Sequence, residues 1–119
     1  MEYSELLRRA EKALIDLDAE ALVAAYAPEF LLEDTASGNR ISNKTELREY
    51  YDWLFALPDI SFTDVSLFTL GERAAGQWTW CGRSKSGQKF AIRGASLFKL
   101  GEDGIREEIL FYDPKSADT

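Results

Sequence analysis

The spacing of apolar residues changes near Ile60, and this change constrains the fold more than any other feature of the sequence. Before it, apolar side chains recur every three or four residues, as in amphipathic helices. After it, apolar and polar residues alternate, as in strands with one buried face. A helical first half followed by consecutive strands is typical of an α+β domain, in which helices cover one face of an antiparallel sheet.

The first half of the chain predicts three helices, at residues 4–17, 19–27 and 44–57. A polar side chain stands at the start of each helix, where it can accept a hydrogen bond from the first turn. These predicted caps are Ser4, Asp18 and Asn43. Pro28 is expected to end the second helix, because the residue before a proline is disfavoured in α geometry.

The second half predicts four long strands, at residues 62–70, 74–83, 88–100 and 105–113. A shorter strand is expected at residues 30–34, and a frayed tail at residues 114–119. Glycines inside strands often mark bulges or bends, and three lie in this half: Gly76, Gly82 and Gly94. We therefore expect a strongly curved sheet whose concave side is closed by the helices around a hydrophobic pocket.

Length and charge limit the classes of partner. The 119 residues fit a single domain spanning 1–119, and 14 basic against 21 acidic residues give a formal net charge of −7. A negative balance opposes binding to nucleic acid or to anionic membranes. No apolar run approaches the roughly 20 residues of a membrane-spanning helix, and residues 1–5 lack the features of a signal peptide. Together with Cys81 as the only cysteine, this predicts a cytoplasmic protein.

The chain contains no histidine, which limits the chemistry that it can perform. Catalytic triads of the Ser-His-Asp or Cys-His type are excluded within the chain. Metal sites built on histidine are excluded as well, and we expect neither a metal nor another cofactor. Acid–base chemistry would have to come from carboxylates, tyrosines, lysines or Cys81.

Four segments carry a resemblance to a known family: residues 22–34 (LVAAYAPEFLLED), 46–51 (ELREYY), 98–104 (FKLGEDG) and 108–113 (EILFYD). The sequence resembles the nuclear transport factor 2-like superfamily, in particular its SnoaL-like and ketosteroid-isomerase-like branch. The resemblance implies a cone-shaped, curved antiparallel sheet with three N-terminal helices closing a hydrophobic pocket. One scaffold of this kind carries isomerases, cyclases, dehydratases, hydrolases and non-catalytic binders, so the resemblance predicts the fold more narrowly than the function.

The resemblance assigns roles to individual positions. In ketosteroid isomerases a general-base aspartate follows the first strand, and Asp34 falls on that position. Two positions that supply oxyanion donors in those enzymes hold Ala10 and Ser96 here. Because losing one such donor can cost roughly 2.7–4 kcal/mol of transition-state stabilisation, efficient ketosteroid isomerisation is not expected. SnoaL-like cyclases place an acid–base carboxylate on the last strand, where this chain has Asp113.

Asp34 and Asp113 are therefore the candidate catalytic residues. If they are paired in an apolar pocket, burial and mutual repulsion would raise one pKa toward neutrality, as general-base catalysis requires. The alternative is that each lies solvated at a strand end or caps a loop. We do not expect Asp34, Arg93 and Asp113 to form the Asp-Arg-Asp network of limonene-epoxide-hydrolase-like enzymes.

Aromatic and small polar residues are candidates for contacting a ligand, with ordinary core packing as the alternative for each. The candidates are Tyr26, Tyr51, Trp78, Trp80, Ser96 and Phe98. Tyr50 is weighed with the other two tyrosines as a source of an orienting hydroxyl. Glu107 and Glu108 are interpreted as part of a solvated face.

The second face of the strands carries apolar residues that a monomer would leave exposed. They are Val65, Leu67, Thr79, Leu97, Leu110 and Tyr112. An exposed apolar sheet face suggests a partner surface, and the simplest symmetric partner is a second copy of the chain. We expect a homodimer through this outer sheet face.

The sequence thus predicts a SnoaL-like protein that binds a small hydrophobic molecule, cyclic and polyketide- or steroid-like, in the cone. Isomerase or cyclase chemistry with an aspartate base is one hypothesis. A non-catalytic ligand-binding module is the second, and a dimerisation domain with a filled cavity is the third.

Overall fold

Three helices precede most of the sheet in a computed structural model that describes residues 3–115. The helices are α1 (Ser4–Ile15), α2 (Ala19–Ala24) and α3 (Lys44–Phe55). The strands are β1 (Tyr26–Asp34), β2 (Arg40–Ile41), β3 (Ser61–Leu70), β4 (Arg73–Arg83), β5 (Lys89–Gly101) and β6 (Gly104–Tyr112). Residues 116–119 of the expected tail lie outside the described residues.

The six strands form one curved, unclosed sheet in the order β2-β1-β6-β5-β4-β3. Neighbouring strands are antiparallel except β1 and β6, which are parallel. The predicted α+β architecture is confirmed. Within residues 3–115, no helix is both long and apolar enough to cross a membrane.

Two of the three predicted helix caps are confirmed. The Asp18 carboxylate accepts the Ala21 N–H at 3.0 Å, and the Asn43 side chain accepts the Glu46 N–H at 2.8 Å. The prediction for Ser4 is wrong, because Ser4 is the first residue of α1 and Tyr3 takes the cap position.

The second helix is shorter than its apolar spacing predicts. It ends at Ala24, and Pro28 lies inside β1 instead of ending the helix. The Ile105 N–H donates to the Ala25 carbonyl at 2.9 Å, so pairing with β6 begins where the helical spacing still continues. Tyr26 is consequently the first residue of a strand, and its side chain is buried.

Lys44 fixes α3 to the end of α2. Its ammonium donates to the carbonyls of Val23 and Tyr26 at 2.7 and 2.6 Å. Carbonyls at a helix C-terminus attract cations, and partial burial lowers the pKa of Lys44. This contact holds the start of α3 against the end of α2.

The bulges of the sheet do not lie at the predicted glycines. The ladder between β4 and β5 continues without interruption through Gly76, Gly82 and Gly94. Pairing of β3 with β4 shifts instead between Thr63 and Ser66. The intervening Asp64 has a φ of 53°.

The strand glycines make room for side chains on the inner face. A Cβ atom on Gly94 would lie 2.3 Å from the Trp78 ring, and one on Gly76 would lie 2.0 Å from Leu67 Cδ2. Both contacts are far below ordinary van der Waals separation. The glycines are therefore needed for packing across the sheet and not for a break in pairing.

The prediction of the outer sheet face is wrong for four of its six residues. The cavity under the helices is lined by four of its six residues: Val65, Leu67, Leu110 and Tyr112. On β3 the shift near Asp64 exchanges the two faces, so Val65 and Leu67 point inward. Two predicted residues do lie on the outer face, Thr79 and Leu97.

We predict that Gly94→Ala destabilises the fold by about 1–3 kcal/mol, because the added methyl group overlaps the Trp78 ring. Urea unfolding followed by circular dichroism measures this change. Ala95→Ser is the control, since it adds one atom at an exposed neighbouring position and should change stability by less than about 0.5 kcal/mol. Equal stability of the two variants would contradict the packing role of Gly94.

Candidate functional site

A cavity of about 530 Å³ lies between the helices and the inner face of the sheet. Nine aromatic side chains line it: Tyr26, Tyr50, Tyr51, Trp53, Phe62, Trp78, Trp80, Phe98 and Tyr112. Five carboxyl residues also line it: Glu11, Asp34, Glu46, Glu49 and Glu108. Neither lysine nor arginine is present among its lining residues.

Most of the residues singled out in the sequence lie in this wall. Those brought together are Tyr26, Asp34, Tyr51, Trp78, Trp80, Ser96 and Phe98. Asp113 lies elsewhere: it is exposed, it does not line the cavity, and its Oδ1 accepts the Lys115 backbone N–H at 2.9 Å. The structure therefore does not form the expected carboxylate pair of Asp34 and Asp113.

Glu108 also lines the cavity, although the sequence analysis did not single it out as a candidate site residue. It is only 7% exposed, so the interpretation of this residue as solvated is wrong. The Tyr26 hydroxyl donates to Glu108 Oε1, and the Tyr51 hydroxyl lies 2.8 Å from the Tyr26 hydroxyl. The buried carboxyl thus ends a chain of hydroxyl groups that begins on α3.

Burial raises the pKa of Glu108 above that of an ordinary glutamate. Hydrogen bonding by the Tyr26 and Ser96 hydroxyls acts in the opposite direction but is the smaller effect. Ser96 is 1% exposed and accepts the Trp78 indole N–H at 3.0 Å. The group that can carry a proton in this cavity is therefore a carboxyl surrounded by hydroxyls and rings.

Strand alternation could have located Glu108. The register pairs Phe98 with Glu108 and Ser96 with Leu110, and directly paired residues of neighbouring strands share a face. Phe98 and Ser96 were already candidates for contacting a ligand. Treating Glu107 and Glu108 as one charged patch concealed the fact that adjacent strand residues point to opposite faces.

Asp34 both lines the cavity and caps a loop, which the sequence analysis treated as alternatives. It is 4% exposed and lines the cavity. Its Oδ1 accepts the backbone N–H groups of Ala36 and Ser37 at 3.0 and 3.1 Å, which closes the turn after β1. Its Oδ2 accepts the Tyr112 hydroxyl at 2.7 Å. Accepting three hydrogen bonds is typical of an ionised carboxylate.

Tyr50 and Trp80 bring unpaired polar groups to the same wall. Within residues 3–115 the Tyr50 hydroxyl has no hydrogen-bond partner, and the buried Trp80 Nε1 has none either. Burial raises the pKa of Tyr50, and the nearby Asp34 carboxylate raises it further, so the hydroxyl stays protonated. The cavity therefore presents a free donor as well as carboxyl groups.

Residues 3–115 contain no metal-binding group of three or more His, Cys, Asp or Glu residues.

The sequence of the chain matches the model of a known protein family. Residues 7–108 match the family model of the SnoaL-like domain. The chain belongs to the SnoaL-like domain family. This match and the solved structures described next confirm the resemblance drawn from the four sequence segments. No curated protein matches the chain.

Solved structures share the fold at low sequence identity. A hypothetical protein with a ketosteroid isomerase-like fold from Catenulispora acidiphila DSM 44928, in complex with trimethylamine, is 17% identical with a TM-score of 0.84. That match covers 96% of this chain and 89% of the other. A proposed polyketide cyclase from Pseudomonas putida KT2440 is 17% identical over 98% and 95% of the two chains, with a TM-score of 0.83. At these identities the likeness shows the fold alone.

A raised pKa at Glu108 predicts a specific pH dependence of stability. The Glu108 carboxyl binds its proton more tightly in the folded state than in the unfolded state. The free energy of unfolding therefore falls as pH rises from the unfolded-state pKa of this group through its folded-state pKa. Glu108→Gln keeps the side-chain size and an acceptor for Tyr26 but cannot ionise. We expect its free energy of unfolding, minus that of the wild type, to grow with pH across this window. Each unit of pKa difference contributes about 1.4 kcal/mol.

Urea unfolding from pH 4 to pH 8 measures this difference. Glu107→Gln is the matched control, because it removes the neighbouring carboxyl on the opposite face of β6. A difference between Glu108→Gln and wild type that stays constant over the whole range would contradict a raised pKa.

Proposed function

We propose that this protein binds a small, hydrophobic, cyclic carbonyl compound in the cavity and transfers a proton at the carbon beside the carbonyl. The observation that carries the proposal is the buried Glu108 carboxyl, held by Tyr26 inside an aromatic cavity that also contains Asp34. Trimethylamine in a similar structure supports the use of this fold for small-molecule binding.

The two carboxyl groups have different roles in the proposed reaction. In its protonated form, Glu108 donates a hydrogen bond to the substrate carbonyl oxygen. Asp34 removes the proton from the adjacent carbon, the C–H electrons form the enolate double bond, and negative charge develops on the oxygen facing Glu108. In a substrate with a carbon–carbon double bond beside the deprotonated carbon, the enolate is a dienolate; Asp34 returns the proton to the far carbon of that double bond, the double bond moves into conjugation with the carbonyl, and the carboxylate is regenerated.

Glu108 supplies what the resemblance to ketosteroid isomerases left missing. The two expected oxyanion-donor positions hold Ala10 and Ser96, and Ala10 has no group to donate. Glu108 lies on the neighbouring strand, where the Ser96 hydroxyl acts on its carboxyl. A neutral carboxylic acid is an effective donor to a developing oxyanion when its surroundings keep it protonated.

A second candidate function is non-catalytic binding of the same class of ligand. The observation that favours it is the engagement of both Asp34 oxygens, by two backbone N–H groups and the Tyr112 hydroxyl. To act as a base, Oδ2 must exchange its hydrogen bond from Tyr112 for contact with the substrate.

We further propose that the chain forms one cytoplasmic domain that pairs through its outer sheet face. Large apolar side chains are exposed there on β3, β5 and β6: Phe68, Leu97 and Phe111. Leu97 pairs with Ala75 and Ile109 across the sheet, and Phe68 with Ala75. An apolar row crossing four strands suits an isologous contact with a second copy.

The proton-transfer proposal predicts exchange of the α-hydrogens of 2-tetralone, a bicyclic ketone, in D₂O. We expect wild-type protein to accelerate this exchange, measured by proton NMR. Asp34→Asn should reduce the rate by about 10²-fold or more, because it removes the base. Glu108→Gln should also slow exchange, because an amide is a weaker donor than a carboxylic acid.

Glu107→Gln is the control for this experiment and should exchange at the wild-type rate. Binding of 2-tetralone to wild type, shown by titration calorimetry, without any accelerated exchange would contradict catalysis and favour the binding module. Absence of binding by this ketone and by other cyclic ketones of similar size would contradict both.

The dimer proposal predicts that Leu97→Glu lowers the mass in solution to that of a monomer, because it places a charge in the centre of the outer face. Sedimentation equilibrium of wild type and variant measures this. Ile15→Glu is the control, since it changes an exposed aliphatic residue at the end of α1 and should leave the dimer intact. A concentration-independent monomer mass for wild type would contradict the proposal.

A further inference from the structure

Glu108 receives hydrogen bonds from two sides of the core. On the first side the Tyr26 hydroxyl donates to Glu108 Oε1, and the Tyr51 hydroxyl lies 2.8 Å from the Tyr26 hydroxyl. Tyr26 is 2% exposed and Tyr51 is 6% exposed. We call these two residues the tyrosine chain, which connects α3 and β1 to the carboxyl on β6.

The number of hydroxyl hydrogens gives the direction of the tyrosine chain. A tyrosine hydroxyl has one hydrogen, and that of Tyr26 is donated to Glu108. The hydrogen between the two tyrosines therefore belongs to Tyr51. If the chain ran the other way, from Glu108 to Tyr51, the Tyr51 hydrogen would have no acceptor within residues 3–115. A buried donor without a partner is unfavourable, so Oε1 of Glu108 is held as an acceptor.

Ser96 and Trp78 form the second side. Ser96 lies two residues from Phe98, which pairs directly with Glu108, so Ser96 and Glu108 are diagonal neighbours on the inner face. The Ser96 oxygen accepts the Trp78 indole N–H at 3.0 Å, and its own hydroxyl bonds to the Glu108 carboxyl. Because Ser96 is only 1% exposed, its hydrogen is shielded from bulk water and is directed at Glu108.

The surrounding side chains thus all donate toward one carboxyl. Each of their polar hydrogens has an acceptor inside the protein: those of Tyr51, Tyr26, Trp78 and Ser96. Within residues 3–115 the carboxyl has no hydrogen-bond partner besides Tyr26 and Ser96. When Glu108 is protonated, its acid hydrogen is therefore the one hydrogen of this group that lacks an internal acceptor. Glu108 lines the cavity, so a ligand can supply that acceptor.

We infer, on the basis of the proposed function, that Tyr51 and Ser96 are positioning residues that direct the acid proton of Glu108 to the ligand carbonyl. Tyr51 acts through Tyr26 and keeps Oε1 as an acceptor, which leaves the acid proton on Oε2. Ser96, held by Trp78, keeps the carboxyl from turning. A donor that already points at the developing oxyanion needs no reorganisation during the reaction.

Removal of either hydroxyl tests this inference. Tyr51→Phe and Ser96→Ala each delete one oxygen atom and leave the rest of the side chain unchanged. Each should raise the pKa of Glu108, because weaker donation to the carboxyl stabilises its ionised form less. NMR titration of protein labelled with ¹³C-glutamate measures this shift and requires no substrate.

The same variants should alter the exchange of the 2-tetralone α-hydrogens in D₂O. We expect rates about threefold or more below wild type, since the acid proton is no longer held toward the ligand. The pH above which exchange slows should also move upward, together with the pKa of Glu108. A residue that serves only the stability of the fold would lower the rate without moving this pH.

Tyr3→Phe and Ser66→Ala are the matched controls, because they delete the same atoms at positions outside the cavity lining, and both should behave like wild type. A Tyr51 or Ser96 variant that keeps the wild-type pKa of Glu108 and the wild-type pH dependence would overturn the role of that residue and leave the proposed function standing. A wild-type protein that exchanges no α-hydrogens would overturn the proposed function and this inference with it.

Discussion

The rest of this structure depends on one buried chain of polar contacts that crosses the core. It runs from the Tyr51 hydroxyl of α3 through Tyr26 of β1 to Glu108 of β6. Ser96 acts on the same carboxyl and accepts the Trp78 indole N–H, so the chain reaches β5 and β4. Leaving one buried member unpaired would cost about 1–3 kcal/mol. The polar groups that join α3 to the sheet therefore also belong to the candidate site.

The aromatic wall gives this site a fixed shape. Trp78 lies over Gly94, and its ring packs against Phe62 and Tyr112 with centroids 6.4 and 6.1 Å apart. Trp80 contacts Tyr112 edge to face at 6.3 Å. Rings that hold one another in this way preserve an open space of defined outline, because closing it would require several side chains to move together.

Local patterns predicted the elements well, and long-range pairing produced the differences. The change of period near Ile60 and the caps at Asp18 and Asn43 depend on nearby residues only, and the structure confirms them. Tyr26 was expected on a helix from the spacing of its neighbours. It lies in a strand because it pairs with β6, which begins almost 80 residues later in the chain. The inward direction of Val65 follows from a bulge that no glycine marks. Such register effects arise from packing between strands, so a single strand does not reveal them.

Glu108 links these observations, since strand alternation places it inside and burial controls its proton. The central claim is that its carboxyl takes up a proton more readily than an ordinary glutamate. The most direct test is an NMR titration of the side-chain carboxyl carbon in protein labelled with ¹³C-glutamate, with Glu108→Gln to assign the signal. The account predicts a midpoint above the ordinary glutamate value of about 4.3. A midpoint equal to or below that value would contradict it.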